Sequence, residues 1–475
     1  MCNIDPAPQT RASSIGLLVR FGATASIAIA IAACEPAEPP VMAAGPERPA
    51  ALVSAPPAAK VAQANTQLGE LIDRAPRSVV AGERLNVELL RRFYARHGFA
   101  PVWTTREAQA ESLMNAVLRA RDHGLAPELF HADLLRSPAT LPPLDRELLL
   151  SNAFLSYADA LARGAVPIER RRDDEALTPE PIDVAAALDA AIGSPDPGAA
   201  IEALAPATPT YRMLRQALQE SRAGGPAGGK TATTRWREIE VNLERERWLP
   251  RRLPADRVWV NVADQRLVLY RDDRPVFSTR VIVGREERRK QSPEVQASIN
   301  RIWFNPPWRV PDDIAREEML PKARLDPTYL ARHNLVMLPD GGLQQKAGPY
   351  SALGHLLFEM NNRFDIYLHD TPSRELFTRD GRRISNGCIR VEDPRKLAAL
   401  LMQQPIEAID QQISGGDTTL RDLPKPMPVF VVYETAFADA DDKLQFRADV
   451  YGRDPAIWQY LSPKWSPVKQ AKMAE

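Results

Sequence analysis

The chain is short of the residues that staple or metallate a fold: only three cysteines and six histidines occur in 475 residues. His97, His123 and His131 lack metal-ligand spacing, so they are read as structural and no metal site is expected. An excess of charge is also missing. Lys plus Arg and Asp plus Glu both number 61, so no basic field points to nucleic acid. A membrane-spanning run is absent from the start of the chain as well. Its apolar stretch, Phe21–Ala33, falls short of the roughly 20 residues a bilayer helix needs.

What that start does contain is an export pattern. Arg11 and Arg20 precede the apolar stretch, which ends in Ile31-Ala32-Ala33-Cys34. This matches a bacterial lipobox, with Cys34 as the lipidated first residue of the mature chain and residues 1–33 as its signal peptide. An ordinary signal peptide cut near Ala33 is the alternative. Lipidation would tether the protein to a membrane through its acyl chains and place it in the periplasm. Cys2 would leave with the signal and Cys34 would be acylated, so the exported chain keeps one free thiol, Cys388.

Proline is abundant, at 43 residues, and residues 34–64 are Pro/Ala-rich without periodicity, reading as an extended tether. Helical spacing dominates 65–222. Val87, Leu90, Phe93 and Tyr94 share one face, and a helix through Asp122 should stop at Gly124. A short helix is expected from Pro127 to Leu135, and a long one over Asp145–Arg163 ending at Gly164. The stretch Gly224–Thr231 spells the phosphate-cradling pattern G-x-x-x-x-G-K-T. It follows a polar helical segment instead of a buried strand, so residues 223–236 read as a Gly/Thr-rich linker.

From 237 to 455 the period changes. A charged helix, Glu238–Pro250, leads into alternating runs at Val258–Val262, Leu267–Tyr270, Val276–Thr279 and Val281–Val283, the opening of a β-rich domain. Trp303 and Trp308 sit in a rigid Trp/Pro cluster and could serve packing or the cleft. A helix is expected over Asp313–Lys322 and another entered through Pro394. Closing strands are expected at Pro428–Tyr433 and Lys443–Tyr451, with 456–475 as a peripheral tail.

Chemistry concentrates in Tyr367-Leu368-His369-Asp370 and Ser385-Asn386-Gly387-Cys388-Ile389-Arg390. A thiol nucleophile needs an imidazole to take its proton and backbone N–H groups facing an oxyanion. His369 and Cys388 supply the pair. Gly387 leaves the backbone beside the thiol unobstructed, and Asp370 can orient the imidazole through its carbonyl or its carboxylate. His355, before an apolar run, is a second candidate base read as structural.

This pairing resembles the L,D-transpeptidase family. FYARHGFAPVW (93–103) and RDHGLAPELF (121–130) are similar to the scaffold domain of its longer Gram-negative members. The resemblance implies an α+β multidomain protein: an all-α scaffold domain, then a β-rich catalytic domain with a cap insertion at about 312–350. It makes Cys388 the nucleophile and His369 the base, with the backbone of Asn386, Gly387 and Cys388 as oxyanion hole. Ser385, Arg390 and Asp370 would shape the site. Asn386 departs from the family's usual His, Ser or Asp, and the peptidoglycan-binding module common in longer members is missing. The resemblance further implies cross-linking of third-position diaminopimelates of peptidoglycan stems through a Cys388 thioester, with release of D-Ala and no cofactor. Stem peptides would be donor and acceptor, and lipoproteins or cell-wall synthesis proteins possible partners. Hydrolysis of the same thioester would make it an L,D-carboxypeptidase or amidase; a peptidoglycan-binding lipoprotein with a dead site is the third reading.

Overall fold

The computed structural model describes residues 58–73, 79–80, 82–137, 140–223 and 229–462. The expected signal peptide, Cys34 and most of the tether lie outside them. An N-terminal helical region precedes a β-rich domain, as expected.

The helical region is built from Ala58–Asp73, Val87–Arg96, Glu107–Leu118, Pro143–Arg163, Val184–Ile192, Pro197–Glu202 and Pro209–Ala223. The first of these starts inside the stretch expected to be an extended tether. Asn86 caps the second, its side chain accepting from the Leu89 N–H at 3.2 Å, which satisfies one of the donors a helix start leaves open. Phe93, Leu113, Phe154 and Tyr157 fill the core. The carboxylate of Glu147 ties in the FYARHGFAPVW segment, accepting from the N–H groups of Val102 (2.6 Å) and Trp103 (3.1 Å) and from the Tyr94 hydroxyl (2.8 Å). Gly124 ends its turn in the left-handed region at φ +69°. The helix expected from Pro127 to Leu135 is broken instead, because His131 adopts φ +60° between two short turns.

Two small strands, β1 (Val79–Val80) and β2 (Glu83–Arg84), form a hairpin beside these helices. In the β-rich domain, β3 (Arg257–Asn261), β4 (Arg266–Arg271), β5 (Arg274–Gly284) and β6 (Val295–Phe304) come first. The cap holds β7 (Trp308–Val310), β8 (Leu335–Met337) and β9 (Leu343–Gln345). Then follow β10 (Leu356–Met360), β11 (Leu368–His369), β12 (Arg383–Ser385), β13 (Ile389–Val391), β14 (Thr419–Val432), β15 (Ala436–Ala438) and β16 (Leu444–Phe446). The main sheet runs β12-β5-β13-β11-β10-β6-β14-β3-β4, and β4 pairs back onto β5, so the ladder closes on itself. Closure leaves few strand edges to cover. Its interior is apolar, with Val258, Leu269, Val283, Phe304, Phe358, Leu368, Ile389 and Val429 all buried.

Strand alternation on β14 joins the two halves. Val429 and Val431 face the sheet interior, while Phe430 and Val432 enter the helical core beside Trp248 and Leu249. Both faces of this strand are therefore buried over Val429–Val432. The described helices and sheet form one compact unit.

Three expected boundaries move. The linker 223–236 becomes helix from Gly229, since Gly229–Glu246 is one helix whose Ile239 and Leu243 pack against Tyr211, Leu214 and Leu218. That helix has another helix before it, and not the strand a phosphate cradle is built on. Only Leu444–Phe446 of the run 443–451 is strand, paired with β15 in its own ribbon. The peripheral tail is in part a helix, Asp454–Leu461, held because Ile457 and Leu461 insert into the helical core.

The cap begins at Trp308. Its sheet, in the order β7-β9-β8, closes over Val310, Ala315, Leu335 and Leu343. The helix expected over 313–322 contains one wide turn, Ala315–Met319, ahead of Pro321.

Candidate active site

The site sits where β11 and β13 run parallel, with His369 opposite Arg390 and Leu368 opposite Ile389. Side chains alternate along strands, and paired residues share a face. Tyr367, His369, Cys388 and Arg390 therefore lie on one face, while Leu368 and Ile389 point into the core. The ladder continues as the Ile389 N–H donates to the Tyr367 carbonyl at 3.1 Å.

His369 is almost fully buried, and its Nδ1 lies 2.6 Å from the carbonyl oxygen of Asp370. A carbonyl can only accept, so Nδ1 carries the proton and Nε2 keeps its lone pair. Of the two routes open to Asp370, the backbone one is used. Its carboxylate turns away, accepting the His355 N–H at 2.9 Å and pairing with Arg374 at 3.2 Å. That turn needs Gly354, at φ +59°: a Cβ there would lie 2.5 Å from the Asp370 carboxylate.

Cys388 is mostly buried, and its thiol receives two donors from Tyr367, the backbone N–H and the phenol. Trp308, on the first cap strand, in turn donates to the Tyr367 phenol. Burial pushes the thiol up to about 11, partly offset by Tyr367 and the Arg390 charge. Burial, then Arg390, pushes His369 down to about 3. Both groups are neutral at pH 7. The arrangement holds a neutral thiol and a neutral imidazole, so proton transfer accompanies attack.

The turn carrying the thiol is stitched by Ser385. Its hydroxyl donates to the Cys388 carbonyl at 2.6 Å and accepts the Gly387 N–H at 3.1 Å. Gly387 takes φ +117°, a conformation that side-chain-bearing residues avoid. The Gly387 N–H is spent on Ser385, whereas the N–H groups of Asn386 and Cys388 find no protein acceptor among the described residues. The Asn386 side chain reaches the cap, donating to Glu318 at 3.3 Å, while Lys290 pairs with the same carboxylate at 3.4 Å. Arg390 is half-buried and its Nε has no partner.

Two cavities flank the catalytic strands. One, of about 270 Å³, lies beneath the cap and is lined by Trp308, Tyr329, His333, Tyr350 and Arg390. The other, of about 550 Å³, opens beside Asp370 and Thr371 and carries Arg374, Arg395 and Lys396. His355 faces the second, its Nδ1 held 2.8 Å from Asn305, away from Cys388. Trp303 is engaged elsewhere, donating to Glu359 at 3.2 Å.

Tyr367 is a functional residue that the Cys–His motif does not itself point to. The signal was there: it stands two residues before His369 in an alternating strand, hence on the same face. Among the described residues no group of His, Cys, Asp and Glu could hold a metal ion. His123 pairs with the Tyr211 hydroxyl at 2.9 Å, His131 with Glu83 and Asn152, and His97 with Asp189.

Comparison with known proteins agrees in both halves. Residues 88–218 match a scaffold domain and residues 255–422 an L,D-transpeptidase catalytic domain. A Haemophilus influenzae protein inferred to be an L,D-transpeptidase is 27% identical over 409 residues, 80% of this chain and 81% of its own. Among solved structures, a cysteine-to-serine mutant of Enterococcus faecium L,D-transpeptidase aligns at 10% identity and TM-score 0.20, over 38% of this chain and 50% of that one. An L,D-transpeptidase–avibactam carbamoyl enzyme aligns equally loosely, over 38% and 49%.

Proposed function

From a chain that carries an L,D-transpeptidase catalytic domain behind a scaffold domain, we propose that this protein cross-links peptidoglycan through a Cys388 thioester. The observation that carries the proposal is the grouping on one face of β11 and β13: a thiol held by Tyr367, beside an imidazole whose Nδ1–H is fixed on the Asp370 carbonyl.

The chemistry follows from those positions. Cys388 Sγ attacks the carbonyl of the L,D amide between a third-position diaminopimelate and its terminal D-Ala. His369 Nε2 takes the thiol proton as the S–C bond forms. Charge on the former carbonyl oxygen meets the free N–H of Cys388, and Arg390 offsets the developing negative charge nearby. Collapse breaks the C–N bond, and the His369 proton goes to the departing D-Ala amine. The side-chain amine of a second stem's diaminopimelate then attacks the thioester and restores the thiol. No step calls for a metal or an organic cofactor. Water in place of the second stem would make the enzyme an L,D-carboxypeptidase.

The proposal includes export, with Cys34 lipidated and the body held in the periplasm near its polymer. Replacing Cys34 with Ala should release the protein from the membrane fraction; unchanged membrane retention refutes the anchor. For the reaction, residues 56–475 and their Cys388→Ala variant are incubated with disaccharide-tetrapeptide and the products weighed by mass spectrometry. Cross-linked dimers lacking one D-Ala, absent in the variant, are expected. Tripeptide alone reassigns the enzyme as a carboxypeptidase, and no Cys388-dependent product refutes catalysis on this substrate.

A further inference from the structure

The nucleophile turn is held from outside its own motif. Gly387 is free to take many dihedrals, so the peptide plane joining it to Cys388 is not locked by its own sterics. Ser292, on the segment between β5 and β6, reaches that plane. Its side chain is completely buried, and its hydroxyl donates to the Gly387 carbonyl at 2.7 Å. The same hydroxyl accepts the Gly284 N–H at 3.0 Å. A planar trans peptide points its C=O and N–H in opposite directions. Fixing the Gly387 carbonyl therefore fixes the direction of the Cys388 N–H, a free donor of the turn next to the thiol.

Ser292 is itself clamped. Its N–H donates to the Tyr451 hydroxyl at 3.3 Å, and that hydroxyl donates to the Gly284 carbonyl at 2.6 Å. Its carbonyl accepts from Arg453 at 3.1 Å. The clamp extends into the helical region. Arg453 also pairs with Glu294 (2.7 Å) and Asp174 (2.9 Å), and the Glu294 N–H donates to the Asp174 carbonyl at 2.7 Å. A fully buried hydroxyl that both donates and accepts, on a segment pinned at both ends, holds its partner more tightly than a surface serine could.

We propose that Ser292 is a positioning residue for acylation of Cys388, its hydroxyl aiming the Cys388 N–H at the oxyanion. This rests on Cys388 being the nucleophile. Two reagents separate aim from reactivity. p-Nitrophenyl acetate acylates the thiol through a tetrahedral oxyanion, forming the S–C bond and expelling nitrophenolate. Iodoacetamide alkylates it by displacing iodide, with no oxyanion to stabilise.

Rates at Cys388 are measured by mass spectrometry on the purified protein, its Ser292→Ala and Ser292→Thr variants, and Cys388→Ala as background. Losing an oxyanion donor outright costs about 100-fold or more, so loosening its aim should slow acylation by about 10-fold in Ser292→Ala. Alkylation should stay within about twofold, and Ser292→Thr, which keeps the hydroxyl, should recover most of the loss. Equal loss in both reactions, wild-type acylation in Ser292→Ala, or a Thr variant as slow as Ala each overturns the proposal. Should Ser292→Ala fail to fold, Tyr451→Phe removes one clamp. A selective acylation loss is again expected there, and equal effects on both reagents refute it. If the wild type is acylated no faster than Cys388→Ala, it is the nucleophile assignment that fails.

Discussion

Replacing Tyr367 with Phe should slow the chemistry of Cys388 without disturbing its surroundings. The ring stays packed against His369, 5.8 Å between centroids, and only the phenol that donates to the sulfur is lost. A hydrogen bond to a charged group contributes about 1.5–3 kcal/mol. The neutral thiol keeps part of that, so the thiolate loses about 1.4 kcal/mol relative to it, about one pKa unit above the present value of about 11. Thiolate population at pH 8 then falls about tenfold. A more basic thiolate is a better nucleophile, with a Brønsted slope of about 0.4–0.5, which returns about threefold. The net expectation is a three- to fourfold slower alkylation by iodoacetamide, constant from about pH 7 to 9, where both thiols are mostly protonated. Stopped aliquots weighed by mass spectrometry give the rates. A variant that reacts as fast as the wild type, or faster, refutes the role assigned to the phenol.

The pH profile gives a second test. His369 is depressed to about 3 and Cys388 raised to about 11, so the base is neutral above about pH 3 and the thiol protonated below about 11. The profile of kcat/KM reports the free enzyme, and these two groups should leave it without the inflection near 6.5 that an ordinary histidine produces. A Cys388-linked inflection near 6.5 contradicts the neutral pair. Glu244→Ala should unfold the junction between helices and sheet. Glu244 is fully buried, pairs with buried Arg247 at 3.0 Å, and accepts the N–H groups of Ala165 and Val166 at 3.0 and 2.8 Å. Removing one partner of a buried ion pair costs about 3–5 kcal/mol, read as a lower urea midpoint; a change under about 1 kcal/mol disproves it. Gly354→Ala places a methyl 2.5 Å from the Asp370 carboxylate at φ +59°. It should lose about 1–3 kcal/mol of stability and slow Cys388 acylation, and a fully active, equally stable variant counts against the Asp370 geometry.

The site was legible to the extent that chemistry restricts residue types. A thiol behind a glycine and an imidazole before a carboxyl residue stand out because few other residues serve, and alternation puts Tyr367 with His369 and Cys388 with Arg390; only the β11–β13 register brings the two pairs to one face. The Asp370 carbonyl could not be chosen over its carboxylate from sequence. The choice depends on Gly354, which leaves room for the carboxylate to turn toward His355. Which oxyanion donor stays free was hidden for a similar reason, since Ser385 takes the Gly387 N–H only in the folded turn.

Periodicity and turn chemistry were enough to determine a helical half, a β-rich half and the cysteine–histidine pair, because these depend on neighbours in the chain. Tertiary structure alone decided the rest. The run Pro428–Tyr433 reads as a strand, yet nothing in it says that Phe430 and Val432 bury against helices hundreds of residues earlier in the chain. The stretch Gly229–Trp236 reads as a linker, and helix wins because Ile239 and Leu243 beyond it find a packed face that anchors the whole segment. Asp454–Leu461 likewise becomes core when Ile457 and Leu461 reach the helices. Trp308 on β7 and Ser292 between β5 and β6 reach Tyr367 and Gly387, the neighbours of Cys388, through hydrogen bonds. Burial and hydrogen-bond satisfaction are sums over residues remote in sequence, so they emerge only once the sheet has closed.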